Sequence, residues 1–438
     1  MRIDRLTARN FKGFESREFT FHPEVNLLVG VNGAGKTTLL DALSVAAGGW
    51  FLGLRGYDTR HIQQHEVRLA PIAAGKGGQA TVNWEAQYPC EVEATGVVMG
   101  KSLTWTRTLT TPKGRTTYGG ARELKALATR TDGAVRDGGE VVLPLISYYG
   151  TGRLWDVPRE RATVTGQKVL RGREKRSRLA GYRNSVDPRI SISELTRWIA
   201  EQSWVTFQQR GDETPEFAAV RSAILACVER AKELYFDPKR GQVVVEIAGQ
   251  GPQPFENLSD GQRTLLAMVG DLAQKAATLN PGLGAEALAE TPGVVMVDEL
   301  DLHLHPVWQR RVIEDLRKTF PRVQFFASTH SPFLIQSLRS GEELVMLDGT
   351  APATVANKSL ADIAEGVMGV PETEYSGRYD EMRRTAMRYL TLLEEAEKAP
   401  AEKQTEFQRA LAESIAPYAE NPAYQAFLEM ERTARLGG

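Results

Sequence analysis

Cysteine is nearly missing from this chain: Cys90 and Cys227 are the only two in 438 residues, too few and too far apart for a disulfide framework or a thiolate metal site. No apolar run approaches the length of a bilayer span, which excludes a helical membrane protein. Charge of one sign is also lacking. Against 54 Lys and Arg stand 55 Asp and Glu, a formal net charge of −1, so no global field draws the chain to nucleic acid and only a local patch could do so. Met1-Arg-Ile leads straight into a strand pattern with no secretory signal, and a cytoplasmic location is expected. Repeats, low-complexity tracts and sustained heptads do not occur, which excludes a long coiled-coil arm. The length exceeds one ordinary domain and suits a core with appended parts.

The apolar run Val25–Val29 is of strand length, and Gly30-Val-Asn-Gly-Ala-Gly-Lys-Thr-Thr38 follows it. Gly30, Gly35, Lys36 and Thr37 fit the pattern G-x-x-x-x-G-K-[ST]. Glycines let the backbone N–H groups of Asn32, Gly33, Ala34, Gly35, Lys36, Thr37 and Thr38 converge on phosphate oxygens, and a helix from Thr37 to about Ala47 adds the positive end of its dipole. Lys36 is placed to reach the β and γ phosphates of ATP, and the Thr37 hydroxyl to ligate Mg²⁺.

Short paired strands are expected at Arg2–Leu6 and Glu18–Phe21. From Ala80 to Leu109 the period becomes two, with Val82, Trp84, Ala86 and Tyr88 on one face, and Leu103 and Trp105 likewise, predicting an antiparallel sheet with one wet face. Val141–Tyr149 reads as a buried strand ending at Gly150-Thr-Gly-Arg153. The basic segment Arg159–Arg183, with Arg171, Arg173, Lys175, Arg176 and Arg178, is either a solvated insertion or a contact for nucleic acid or a partner. Helical patterns cover Ile192–Gln208 and Pro215–Leu234, and a strand is expected at Gln242–Ile247.

Far downstream, Ser259 and Gln262 of Leu258-Ser-Asp-Gly-Gln262 form the capping-box pattern S-x-x-Q ahead of an apolar helix, Thr264–Ala277. A helix N-terminus is an anion site, yet the chain already has a phosphate loop for the same nucleotide. Leu258-Ser-Asp-Gly-Gln262 resembles the signature of ABC-type ATPases, and the resemblance implies that Ser259, Gly261 and Gln262 grip the γ-phosphate bound to another copy. Next, Val294-Val-Met-Val-Asp-Glu299 is an apolar strand ending in two acids: Asp298 suits the Mg²⁺ shell, and Glu299 suits general-base activation of water. A strand at Val323–Ala327 leads to Ser328-Thr-His-Ser331. His303 and His305 have the spacing of a metal pair, but no carboxylate or cysteine cluster completes such a site.

Asn257-Leu-Ser-Asp-Gly-Gln-Arg263, Leu279-Asn-Pro281, Val297-Asp-Glu-Leu-Asp-Leu-His-Leu-His-Pro-Val-Trp-Gln309 and Phe325-Phe-Ala-Ser-Thr-His-Ser-Pro332 resemble the ABC-type ATPases related to RecF, SMC and OLD proteins. Within them, the chain is similar to a bacterial group described as ATP-binding proteins involved in virulence, kin to ATPases of Septu and retron anti-phage modules. The resemblance covers Met1 to about Val370. It implies that Asp301 lies in the loop communicating between the two sites of a dimer, that His330 is the switch histidine at the γ-phosphate, and that Asp260 replaces one glycine of the usual signature. Two departures stand out. The loop after Val141–Tyr149 lacks the glutamine such ATPases carry, with Gln63 and Gln64 lying earlier in the chain, and no acidic nuclease motif follows Asp348.

The tail is instead helical, with Met382, Ala386, Tyr389 and Leu393 on one face and Phe407, Leu411, Ile415 and Tyr418 on another, before a last helix capped by Asn421-Pro422. It either packs on its own core or docks a partner. The expected fold is α/β, an ABC-type P-loop ATPase core with an antiparallel β lobe, a helical signature lobe and a C-terminal helical appendage. The expected divisions are 1–155, 156–256, 257–370 and 371–438. The expected function is Mg²⁺-dependent ATP hydrolysis in a homodimer or higher homo-oligomer that controls a separate effector, an HNH-type nuclease being one candidate. A RecF-like DNA-binding ATPase, with DNA or RNA as ligand, is the alternative. A transport subunit is disfavoured by the Asp-Leu-His-Leu-His-Pro block and the β-rich insertion.

Overall fold

The computed structural model describes residues 1–74, 81–154, 177–348, 358–370, 377–398, 409 and 422–436, which fall into two compact units, Met1–Ile363 and Ala364–Gly438. In the first unit, β1 (Arg2–Phe11) and β2 (Phe14–Thr20) form a tight antiparallel hairpin, and the fully buried β3 (Val25–Val29) runs into α1 (Lys36–Ala47). A two-stranded ribbon, β4 (Leu69–Ala74) with β5 (Thr81–Ala86), precedes β6 (Cys90–Val98) and β7 (Lys101–Leu109), which extend the hairpin into an antiparallel sheet of order β2-β1-β6-β7. Burial alternates along β6, as a half-buried sheet requires. The expected inward Trp84 is not inward: it is 64% exposed, because β5 pairs with β4 in the separate ribbon instead of joining β6.

After α2 (Arg122–Arg136) comes β8 (Leu145–Tyr149), shorter than the apolar run Val141–Tyr149. Ahead of it the Asn280 side chain takes the place of a strand partner, accepting from the Leu143 N–H at 2.7 Å and donating to the Leu143 carbonyl at 3.0 Å. Arg178 stands beside this segment, donating to the carbonyls of Val141 at 2.6 Å, Gly139 at 2.9 Å and Leu279 at 3.1 Å. This cation of the basic run therefore ties chain segments together. Arg171, Arg173, Lys175 and Arg176 lie outside the described residues.

The helical lobe follows, with α3 (Ile192–Gln208), α4 (Pro215–Cys227) and a small antiparallel sheet of β9 (Ala231–Asp237), β10 (Gln242–Ile247) and β11 (Gly251–Pro254). The helix expected to reach Leu234 stops at Cys227. Ala231, Lys232, Glu233 and Leu234 favour helix locally, but pairing of Leu234 with Val245 on β10 overrides that preference. Then come α5 (Asp260–Leu279), β12 (Gly293–Val297), α6 (Val312–Thr319), β13 (Val323–Ser328) and β14 (Leu344–Met346).

The central sheet has the order β14-β3-β13-β12-β8, and every pairing in it is parallel. Its strands β3, β8, β12 and β13 are buried throughout, which is why they read as unbroken apolar runs. Parallel strands put their C-terminal ends at one edge, where open α/β sheets place ligands. In the second unit, α7 (Gly377–Glu397) and α8 (Pro422–Leu436) share a small core of Tyr389, Leu393 and Leu428, with Ala386, Leu392 and Tyr424 against it. The Tyr424 hydroxyl donates to the Met382 carbonyl at 2.8 Å. Phe407, Leu411, Ile415 and Tyr418 lie outside the described residues.

Candidate functional site

β3 delivers the chain to Gly30, and the loop reverses through Gly33 and Gly35 at φ 86° and 104°, a left-handed region other residues rarely adopt. A Cβ on Gly35 would lie 2.6 Å from the Phe14 ring, so the loop rests on the β1–β2 hairpin at that point, while its tip at Val31, Asn32 and Gly33 is exposed. The Lys36 ammonium donates to the carbonyls of Gly30 at 2.8 Å and Val31 at 3.3 Å, lying across the mouth of the loop. Burial lowers its pKa, against the opposing fields of Asp298, Glu299, Asp301 and Asp348. A phosphate is a stronger, charged acceptor than either carbonyl and suits this ammonium better.

Two strands away, β12 ends at Val297, and Asp298 follows, buried, its N–H donating to the Tyr149 carbonyl at 2.7 Å. One carboxylate oxygen accepts from the Thr37 hydroxyl at 2.9 Å, across 261 positions of sequence. The other accepts from the Ser328 hydroxyl at 2.5 Å, and that same hydroxyl accepts from the Glu299 N–H at 2.7 Å. Ser328 thus orients both acids from the end of β13. Thr37 and Asp298 present hard oxygen donors side by side, the donor type Mg²⁺ prefers.

Glu299 has φ 48°, left-handed for a non-glycine residue, at a cost of roughly 1–2 kcal/mol. Across from it stands Arg153, which sequence reasoning missed as a site residue. Its guanidinium, 2% exposed, donates to the carbonyls of Gly150 at 3.1 Å, Asp298 at 2.8 Å and Glu299 at 3.1 Å. Burial pulls its pKa down to about 10, which leaves it cationic at neutral pH. The signal was its position, in the glycine-rich loop directly after a buried strand that borders the acids.

Asp301 turns inward to the same region. Its carboxylate accepts from the Thr329 hydroxyl at 2.6 Å and the His330 N–H at 3.4 Å, so the loops carrying Asp301 and His330 meet, with the His330 residue exposed. Gln309 braces both: it donates to the Leu304 carbonyl at 2.8 Å and accepts from the Ser331 hydroxyl at 2.7 Å. His305 caps the helical turn Pro306–Gln309 through its Nδ1, which accepts from the Val307 N–H, so this ring nitrogen is committed to backbone.

At the start of α5 both halves of the capping box are formed. The Ser259 hydroxyl accepts from the Gln262 N–H at 3.3 Å, and the Gln262 side chain accepts from the Ser259 N–H at 3.1 Å. Ser259 is exposed, and its side-chain hydrogen bonds among the described residues go to Gln262, not to the phosphate loop. Gly261 is buried because the helix start abuts the His303–Trp308 segment: a Cβ there would lie 2.6 Å from the His303 carbonyl and 2.9 Å from the Trp308 ring. About three turns on, Asp271 accepts from the Tyr149 hydroxyl at 2.6 Å and pairs with Lys275 at 2.8 Å, joining α5 to the end of β8. Burial, reinforced by Asp271, raises the Tyr149 pKa well above its ordinary value, so the phenol stays a donor.

The structure therefore gathers Gly30 to Thr38, Asp298, Glu299, Asp301 and His330 at the ends of β3, β12 and β13, and sets Ser259, Gly261 and Gln262 apart on the cap of α5. A phosphate loop and an acid pair on one parallel sheet, separated in sequence by an antiparallel lobe and a helical lobe, define a nucleotide-binding core of the ABC-ATPase type. The chain belongs to the AAA domain family, whose model matches residues 5–225, just over half its length.

The chain is 25% identical to the Retron Ec83 probable ATPase of Escherichia coli, an alignment covering 86% of this chain and 78% of that one. It is 31% identical to the Septu protein PtuA of Bacillus mycoides over 37% of this chain and 23% of that protein. Among solved structures, the SMC head domain from Thermotoga maritima aligns with a TM-score of 0.39 at 16% identity, over 79% of this chain and 94% of that one. Among the described residues no helix is long and apolar enough to cross a membrane.

Proposed function

We propose that the chain binds ATP with Mg²⁺, hydrolyses it in a head-to-tail homodimer, and through its nucleotide state controls a separate effector protein, a nuclease of anti-phage defence such as an HNH-type enzyme. The observation that carries the catalytic part is the 2.9 Å contact of the Thr37 hydroxyl with the Asp298 carboxylate, which brings phosphate loop and acid pair into one site. Thr37 and Asp298 would hold Mg²⁺, whose bound form neutralises developing charge on the β and γ phosphates. Lys36 exchanges its loop carbonyls for phosphate oxygens. Glu299, one residue beyond Asp298, orients a water and takes its proton on the carboxylate as the oxygen attacks the γ-phosphorus, while the bond from that phosphorus to the β–γ bridging oxygen breaks and ADP leaves. His330 donates to the γ-phosphate.

The exposed capping box of α5 supports the dimer. Its oriented N–H groups and the Ser259 hydroxyl form an anion site that does not serve the chain's own loop, and Ser259, Gly261 and Gln262 fit the γ-phosphate held by a second copy. Asp301, bonded to the loop of His330, then stands where the two sites would sense each other. The retron and Septu names of the relatives support the defence role. The test is Glu299→Gln, which should keep ATP binding and slow hydrolysis by about a hundredfold or more. Turnover at the wild-type rate in the purified variant would remove Glu299 from its assigned role.

A further inference from the structure

Among the described residues no carboxylate hydrogen-bonds the Arg153 guanidinium, although the fields of Asp298, Glu299 and Asp301 act on it. Its three hydrogen-bond acceptors are main-chain carbonyls, and its Nε has no partner among the described residues. Burying a cation on such terms costs stability unless its position does something. Two of the carbonyls flank one residue: those of Asp298 and Glu299 lie on either side of the Glu299 Cα. In extended backbone successive carbonyls point to opposite sides, so one guanidinium cannot bind both. At the observed φ of 48° the chain turns and brings both carbonyls to the same side, toward Arg153. The left-handed conformation of Glu299 and the two-carbonyl grip therefore determine each other.

The grip has a fixed base. The Arg153 carbonyl accepts from the Ile190 N–H at 2.8 Å, and the Gly150 N–H donates to the Pro188 carbonyl at 2.8 Å, so the Gly150–Arg153 loop is pinned at both ends. From the other side, Ser328 accepts the Glu299 N–H. Backbone held this way has one direction in which to project its Cβ. We infer that Arg153 is a positioning residue for hydrolysis, clamping the carbonyls on either side of Glu299 so that the carboxylate is aimed at the attacking water. This inference rests on the reading of Glu299 as the general base.

The test pairs Arg153→Met and Arg153→Lys with Glu299→Gln in purified full-length protein. Arg153→Met, of similar length and uncharged, should lower kcat for ATP by about tenfold to a hundredfold, the penalty for misplacing a catalytic group by about 1 Å. KM, and the affinity for a non-hydrolysable ATP analogue, should stay within about twofold, since no phosphate or metal contact is touched. Arg153→Lys keeps the cation but not the fork and should fall between, which preserves the test if the methionine variant does not fold. In the Glu299→Gln background, Arg153→Met should cost nothing further, because the clamp acts only through that carboxylate. An unchanged kcat, a loss of analogue affinity equal to the loss of kcat, or an additive double variant would overturn the clamp. Full turnover by Glu299→Gln alone would instead overturn the assignment of the base.

Discussion

Replacing Ser328 by Ala removes one oxygen that serves both acids. The hydroxyl donates to Asp298 at 2.5 Å, a charge-assisted bond, and accepts the Glu299 N–H at 2.7 Å. Losing the first costs roughly 1.5–3 kcal/mol, and leaving the part-buried Glu299 N–H without its partner adds a smaller cost, roughly 1 kcal/mol. On the proposed role of Asp298 in holding Mg²⁺, much of this falls on its carboxylate, and loss of an orienting partner typically weakens metal affinity about tenfold to a hundredfold. The expected outcome is a Mg²⁺ activation curve shifted to higher concentration by that factor, with kcat at saturating Mg²⁺ lowered as well through Glu299. Phosphate release followed across a Mg²⁺ titration at saturating ATP reads both effects. An unshifted Mg²⁺ curve with wild-type kcat would show that the hydroxyl does not orient the acids, and the reasoning would fail.

Gly261→Ala places a Cβ 2.6 Å from the His303 carbonyl, which is backbone and cannot rotate away, so α5 must shift at its start. About 1–3 kcal/mol of stability should be lost, with a fall in ATPase activity, as denaturant titration and turnover would show. Mixing Lys36→Ala with Ser259→Arg protein should restore part of the activity each variant lacks, because one composite site of the mixed dimer escapes both lesions; a dead mixture with proven heterodimer would count against sites shared between copies. Burial pushes the thiols of Cys90 and Cys227 up to about 12 and about 11. Both are acids raised above the ordinary 9.0, so the unfolded chain gives up its protons first, and their contribution to stability, intact below pH 9, is lost as pH rises from 9 through about 11 and about 12. Iodoacetamide at pH 9 should label unfolded protein and spare native protein, and fast native labelling would contradict the burial.

The phosphate loop, the acid pair and the capping box were legible in the sequence because their chemistry is local: a glycine pattern, two acids closing an apolar run, a serine three residues before a glutamine. The parallel core was legible for the same reason, each strand being apolar throughout. What escaped depends on distant partners. Ala231–Leu234 has helical composition and becomes strand only because β10 is there to pair with it. Trp84 follows the alternation of a sheet face, but which face is covered depends on the strands beside it, and here none covers it. Arg153 and Arg178 read as surface charge by type, yet each spends its guanidinium on carbonyls far along the chain. No periodicity announces a buried arginine.

The order of the central sheet also governs how the molecule is made. β3 carries the phosphate loop, yet its neighbours in the sheet are β13 and β14, strands drawn from the other end of the described core. The β1, β2, β6 and β7 sheet can close on itself once residues up to about Leu109 have been synthesised. The phosphate loop cannot, since about 300 residues separate Val29 from Ser328. At roughly 5–20 residues per second, a ribosome needs roughly 15–60 s to bridge that interval. Throughout it β3 is an apolar strand with both edges open, and until Asp298 has been made the Thr37 hydroxyl has no acid to face. A chain truncated before Val323 would therefore lack both neighbours of β3 in the sheet, whatever nucleotide is supplied.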